Sequence, residues 1–230
     1  MSRIGYYSAA LGSMQKEKSL DVISNNLANA STPGFKKDAV HFQDFIYQTT
    51  YTQMDQGRIR STGSSLDIAL SGDGMLRVQS DEGIVYTRAG NLTFNKDNTL
   101  VTQDGWPVLG QNGPIQLSVT AKEDIRIELG GQVFDGEDQI DTLFVGKFPP
   151  EVRLEKVGNG YFKPVGPPDK LEPVVAEKCE VQQGSLEEPN FNIVEEMARM
   201  IETTRAFEAY QKAMQVFEQQ DSQLTSKLGA

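Results

Sequence analysis

Few residues of this 230-residue sequence combine the types and spacing that chemistry requires. Asp73 in Ser71-Gly72-Asp73-Gly74 and the run Asp135-Gly136-Glu137-Asp138 carry the oxygens a calcium ion takes. Neither follows an EF-hand spacing, and glycine-rich turns account for both. Asp44, His41 and Ser64 supply the residue types of a hydrolytic triad without the strand-elbow signature that would bring them together. A single cysteine, Cys179, excludes an intrachain disulfide and any multi-cysteine metal cage, and a single histidine excludes sites built on two imidazoles. Cys179 has no basic partner in the sequence pattern that would make it a nucleophile. Trp106, directly before Pro107, reads as a packing residue of a turn. No catalytic residue, cofactor or metal ligand is expected.

The charge balance narrows the partners. Lys and Arg number 22 against 32 Asp and Glu, a formal net charge of -10. That sign disfavours a general nucleic-acid binder, which needs a basic surface against phosphate. The N-terminus lacks the apolar core of a cleavable leader and any run long enough to span a bilayer.

With this chemistry set aside, the apolar periodicity carries the information. Ile4, Tyr7, Leu11 and Met14 recur at helical spacing, Leu20, Ile23 and Leu27 continue on a displaced face, and only Gly5 and Gly12 interrupt the pattern. The run 28–34, ending Thr32-Pro33-Gly34, then supplies turn formers. From Val40 to about Val181 short apolar stretches alternate with glycine and proline. Asn95-Lys96-Asp97-Asn98, Asp104-Gly105 and Asn112-Gly113 fall where hairpin turns belong, which predicts an antiparallel β domain. The last 40 residues return to helical spacing through Ile193, Met197, Met200, Thr204, Phe207, Gln211, Met214, Phe217, Asp221, Leu224 and Leu228. Asn192 is the expected N-cap, with Glu195 three residues on. Arg199 with Glu202 and Arg205 with Glu208 are expected to pair on the exposed helix face.

The fold class expected is a mainly β central domain with long N- and C-terminal α-helices pairing as a coiled coil. Its parts are an N-terminal helical arm and turn at 1–35, an extended connector at 36–64, a β-rich body at 65–189 and a C-terminal helical arm at 190–230. Neither helix is apolar all round, so each requires the other or a neighbouring subunit to cover its stripe.

These segments carry a resemblance. LDVISNNLANASTPGFKK at 20–37 resembles the N-terminal signature of bacterial flagellar rod and hook proteins. SLDIALSGDGML at 65–76 and YTRAGNLTFNKDNTLVTQDGWPVLG at 86–110 resemble the start and the hairpin of that family's first structured domain, and MARMIETTRAFEAYQKAMQ at 197–215 resembles its C-terminal helix. Within the family, the length and single modest middle region are most similar to proximal-rod members. VQQGSLEEPN at 181–190 stands where distal-rod members, the second choice, resemble a Gln-Gly-Asn-Leu passage. Hook proteins would need inserted domains for which this chain has little room.

The resemblance implies a structural subunit of the basal-body rod, exported by the flagellar type III apparatus, placed in the periplasm, and associating with itself and other rod proteins. The candidate assembly interface comprises Ile4, Leu11, Met14, Leu20, Ile23, Asn25, Asn26, Leu27, Asn29, Met197, Met200, Phe207, Met214, Phe217 and Leu224, with Tyr210 near the edge of the C-terminal seam. A β-domain binding module or enzyme carried on helical linkers is the alternative class, and would need a concave pocket in the β region.

Overall fold

A computed structural model describes residues 2–43, 47–117, 125–167, 170–176 and 178–228, without the side chains of 2, 3, 43, 47, 48 and 224–228. Asp44 therefore lies outside the described residues, as does the side chain of Leu224. The chain divides into two compact units. One holds Met1–Ala30, Lys37–Gln53 and Phe191–Ala230, and the other holds Ser31–Lys36 and Met54–Asn190.

The first unit is built on helix α1, Ser2–Ala28, and helix α2, Ile193–Leu228, which pack against each other. Asn192 caps α2 as its sequence position requires: its Oδ1 accepts from Val194 N at 2.9 Å. Glu195 and Glu196 place acid in the first turn, where the exposed helix N–H groups favour it. α1 ends by tightening, with the Asn29 N–H shared between the carbonyls of Asn25 and Asn26. Strand β1, Asp38–Gln43, pairs with strand β2, Tyr47–Thr52, in an antiparallel hairpin whose register begins at Asp38 with Thr52.

Among the described residues of the second unit every strand pairing is antiparallel, as the alternation of short apolar runs and turn residues requires. Its largest sheet runs Arg153–Lys156, Tyr161–Val165, Gly83–Thr87, Met75–Ser80, Val145–Lys147 and Val174–Val175 in spatial order. The core contains Ile68, Leu70, Leu76, Val78, Val85, Leu100, Val108 and Ile115. At Asn95–Asn98 the turn forms as expected. Asn95 Oδ1 accepts from the backbone of Asp97 and Thr99, each at 2.9 Å, and Asn98 takes a positive φ of 56°. Trp106 packs against the Tyr161 ring at 4.5 Å between centroids, on the core.

Candidate assembly interface

The register of the two helices follows from two glycines. A Cβ on Gly5 would stand 2.8 Å from Cζ of Phe217, and one on Gly12 would stand 2.6 Å from Cε1 and Cζ of Tyr210. Seven residues forward on α1 are seven back on α2, so the helices are antiparallel. Fourteen more bring Asn26 opposite Glu196, joined by a 2.9 Å hydrogen bond. The same rhythm appears in the burial. On α1 the half-buried and buried positions include Gly5, Ala9, Gly12, Lys16, Ser19, Ile23 and Asn26, and on α2 Glu196, Met200, Thr203, Phe207, Tyr210, Met214 and Phe217. Both series alternate steps of four and three, the 3.5-residue period of a left-handed coiled coil. Small residues on α1 let the aromatics of α2 approach its backbone.

This seam differs from the one expected on α1. Gly5 and Gly12, read as interruptions, are the contact positions, and Ile4, Leu11 and Met14 lie on the far side of the helix. Ile4 is 74% exposed and Met14 58%. On α2, Met200, Phe207, Met214 and Phe217 face the seam with Tyr210 among them, whereas Met197 points outward at 52% exposure. Leu20 and Leu27 are half-buried, Ile23 is buried, and Asn25 is exposed. Arg199 reaches back to Glu196 at 3.7 Å rather than forward to Glu202, and Glu196 has a second partner.

That partner is Asn26, whose side chain is fully buried. Its Nδ2 donates to Asp38 O at 2.9 Å and to Glu196 Oε1 at 2.9 Å, and its Oδ1 accepts from Asp38 N at 3.0 Å. The amide thus stands in for a neighbouring strand at the start of β1 while holding the first turn of α2. A buried amide with both its nitrogen and its oxygen hydrogen-bonded tolerates no slip of one helix past the other, since any slip would strand polar groups away from water. Asn29 Nδ2 donates to Asn25 O at 2.9 Å and helps close the helix end.

In the second unit the Thr32-Pro33-Gly34-Phe35-Lys36 segment is fixed by charge as well as burial. Gly34 has φ +67°, and a Cβ there would collide with the Arg88 carbonyl, so only glycine fits. Phe35 is buried beneath the Lys156 ammonium, 4.2 Å from the ring centroid. Lys36 Nζ donates to Glu187 Oε1 and Asp55 O, both at 2.6 Å. Glu187 Oε1 also accepts from Gly57 N at 2.7 Å, and its Oε2 lies 3.0 Å from Arg88 Nε. Arg88 donates onward to the carbonyls of Gly72 and Gly74. All three charged side chains are at most 5% exposed. Burial lowers the Lys36 pKa, opposed by Glu187. This triad binds the 31–36 segment, the 55–57 stretch and the return strand Ser185–Glu187 together. Its members are far apart in sequence, and no spacing rule connects them.

The candidate chemical residues have structural surroundings. Asp73 sits on the surface in an ion pair with Lys147 at 2.7 Å, which holds its carboxyl below the usual range. Burial pushes the Cys179 thiol up, and the nearby Arg88, a basic partner the sequence did not suggest, only partly offsets this. His41 lies exposed on β1 and Ser64 is exposed in the second unit. Among the described residues no three His, Cys, Asp or Glu gather as a metal site.

Comparison with known proteins covers most of the chain. Residues 7–36 match the family described as flagella basal body rod protein, 69–134 the flagellar hook protein FlgE/F/G D1 domain, and 182–227 the flagellar basal body rod FlgEFG protein C-terminal region. The chain is 33% identical over 218 residues to the flagellar basal-body rod protein FlgF of Rhizobium meliloti (strain 1021), covering 89% of each chain. It is 31% identical over 217 residues to FlgF of Mesorhizobium japonicum, covering 88% of each, and 28% identical over 245 residues to FlgG of Borreliella burgdorferi, covering 91% of this chain and 92% of that one.

Proposed function

Since this chain belongs to the flagellar basal-body rod protein family and is a structural subunit of the rod, we propose that it occupies the proximal rod, in the position of FlgF, and polymerises there through its terminal helices. The observation that carries this reading is the pairing of α1 with α2, which buries one stripe of each helix and leaves further apolar side chains, Ile4, Leu11, Met14 and Met197 among them, on the outside. A lone subunit gains nothing from those side chains in water, whereas a polymer buries them at every repeat. The seam residues Ile23, Asn26, Met200, Phe207, Met214 and Phe217 build the pair, Leu20, Asn25, Leu27 and Asn29 shape its end, and Leu224 continues α2.

The subunit reaches the periplasmic rod after export by the flagellar type III apparatus, and its partners are further copies of itself and other rod proteins. The FlgF assignment is supported by the chain length, by VQQGSLEEPN at 181–190 and by FlgF relatives above 30% identity. Distal-rod FlgG is the second reading, favoured by the extent over which FlgG sequences align. Deletion of 1–30 or of 191–230 tests the assembly role. Isolated basal bodies lose the truncated chain while circular dichroism of the purified product retains β signal. Normal recovery of either truncation in basal bodies would refute assembly through the terminal helices.

A further inference from the structure

Two asparagines of the chain precede glycine, Asn112 before Gly113 and Asn159 before Gly160, both in the second unit and both exposed. Glycine has no side chain to shield its backbone nitrogen, so in this pair the nitrogen most readily reaches the side-chain carbonyl carbon before it. The surroundings of the two asparagines differ.

Asn159 lies in the loop between the strands Arg153–Lys156 and Tyr161–Val165, closed by Val157 N to Tyr161 O at 3.0 Å and Tyr161 N to Gly158 O at 2.8 Å. Gly158, Asn159 and Gly160 have φ of 102°, 44° and 78° in succession, a left-handed run that costs asparagine more than glycine. A Cβ at Gly158 or Gly160 would meet nothing within 4 Å, so a ring has room to form. Among the described residues the Gly160 N–H donates to no acceptor, and the Asn159 amide has only a 3.5 Å contact from Nδ2 to Asp104 Oδ1.

Asn112 is held far more firmly. Its Nδ2 donates to Asp141 Oδ1 at 3.0 Å and its backbone N–H to Asp141 Oδ2 at 3.2 Å, and Asp141 is itself 8% exposed. A carboxylate formed at position 112 would lose that amide bond and face the Asp141 charge. Asn98, the other asparagine at positive φ, precedes Thr99, whose branched side chain crowds its nitrogen and whose N–H is already given to Asn95 Oδ1 at 2.9 Å.

We propose that Asn159 is a site of spontaneous deamidation in the folded chain, and that Asp141 protects Asn112 from the same reaction. The Gly160 nitrogen bonds to Asn159 Cγ and gives up its proton, the Cγ–Nδ2 bond breaks, and the proton leaves with ammonia. Water then opens the five-membered imide. Attack at Cγ gives aspartate, and attack at the backbone carbonyl carbon gives isoaspartate, with no oxidant or reductant involved. Either product places a carboxylate where the amide met Asp104, whose Oδ2 accepts from the Tyr161 hydroxyl at 2.7 Å. The modification therefore acts on the contact that ties Tyr161, packed against Trp106, to its neighbouring loop.

Peptide mapping by mass spectrometry of the purified full-length chain in mildly alkaline buffer tests this, each conversion adding about 1 Da and isoaspartate being scored by enzymatic methylation. In chain unfolded by guanidinium the two sites convert at similar rates. In folded chain Asn159 stays within about tenfold of its unfolded rate, and Asn112 converts at least tenfold more slowly than Asn159. Asp141→Asn raises the Asn112 rate at least fivefold and leaves that of Asn159 unchanged. Should that variant not fold, the ratio of folded to unfolded rate at each site of the native chain decides the question. Equal rates at the two sites of the folded chain, or faster conversion at Asn112, would overturn the proposal. Asn159→Asp lowers the denaturant midpoint read by Trp106 fluorescence, and Asp104→Asn removes at least half of that loss. A loss untouched by Asp104→Asn would overturn the coupling to Asp104.

Discussion

Gly12 lies flat against Tyr210, so close that a Cβ at position 12 would meet the ring at 2.6 Å. Glycine in a helix interior costs about 1 kcal/mol relative to alanine, and α1 carries two of them on its contact face. Close approach of the helices is what this arrangement gains. Gly12→Ala should therefore raise intrinsic helicity and still destabilise the pair, and Gly12→Val should cost about 1–3 kcal/mol from overpacking. Denaturant unfolding followed by helical circular dichroism measures both.

Asn26 makes three hydrogen bonds from a fully buried position. Asn26→Ala removes the hydrogen bonds to the Asp38 N–H and carbonyl and to the Glu196 carboxylate, at a cost of about 2–4 kcal/mol. The same substitution at exposed Asn25 should change stability by less than about 0.5 kcal/mol. Matched denaturant midpoints of the two variants check the contrast.

The buried Glu187 carboxylate faces both Lys36 and Arg88 and offsets one of their two positive charges. Glu187→Gln leaves two buried cations facing each other and should cost about 3–5 kcal/mol in the β unit. Thermal unfolding followed by tryptophan fluorescence reports it, since Trp106 packs on that unit's core.

Tyr161 gives the β unit a dependence on alkaline pH. Its hydroxyl donates to Asp104 Oδ2 at 2.7 Å and lies 2.9 Å from Thr102 Oγ1, and burial raises its pKa well above the ordinary tyrosine value of 10. A group whose pKa rises on folding contributes stability that is complete below its unfolded value and lost as pH climbs above it. Stability of the native chain should thus fall above about pH 10. Tyr161→Phe should flatten that loss, as paired denaturation series between pH 8 and 11 would reveal.

Much of this architecture was legible in the sequence, and the reasons differ between its parts. The β unit was readable because turn chemistry is local: Asn95 to Asn98 specify their turn without help from distant residues. The helices were readable from period, but the face of α1 was not. Apolar spacing selected Ile4, Leu11 and Met14, whereas the face that meets α2 within one chain is the small one, Gly5, Ala9, Gly12 and Ser19. The seven-residue recurrence of Gly5, Gly12, Ser19 and Asn26 was the available signal. Hydrophobicity is blind to it, because close packing against an aromatic rewards the absence of a side chain. The Lys36, Arg88 and Glu187 triad left no signal, since its members meet only through tertiary folding.

A helical reconstruction of the intact basal body, with side-chain density sufficient to assign this sequence, tests the account most directly. The account predicts this chain in the proximal rod, with Ile4, Tyr7, Leu11 and Met14 covered by a neighbouring subunit. Density placing the chain in the rod with that stripe facing solvent, or a rod complete without this chain, would contradict it.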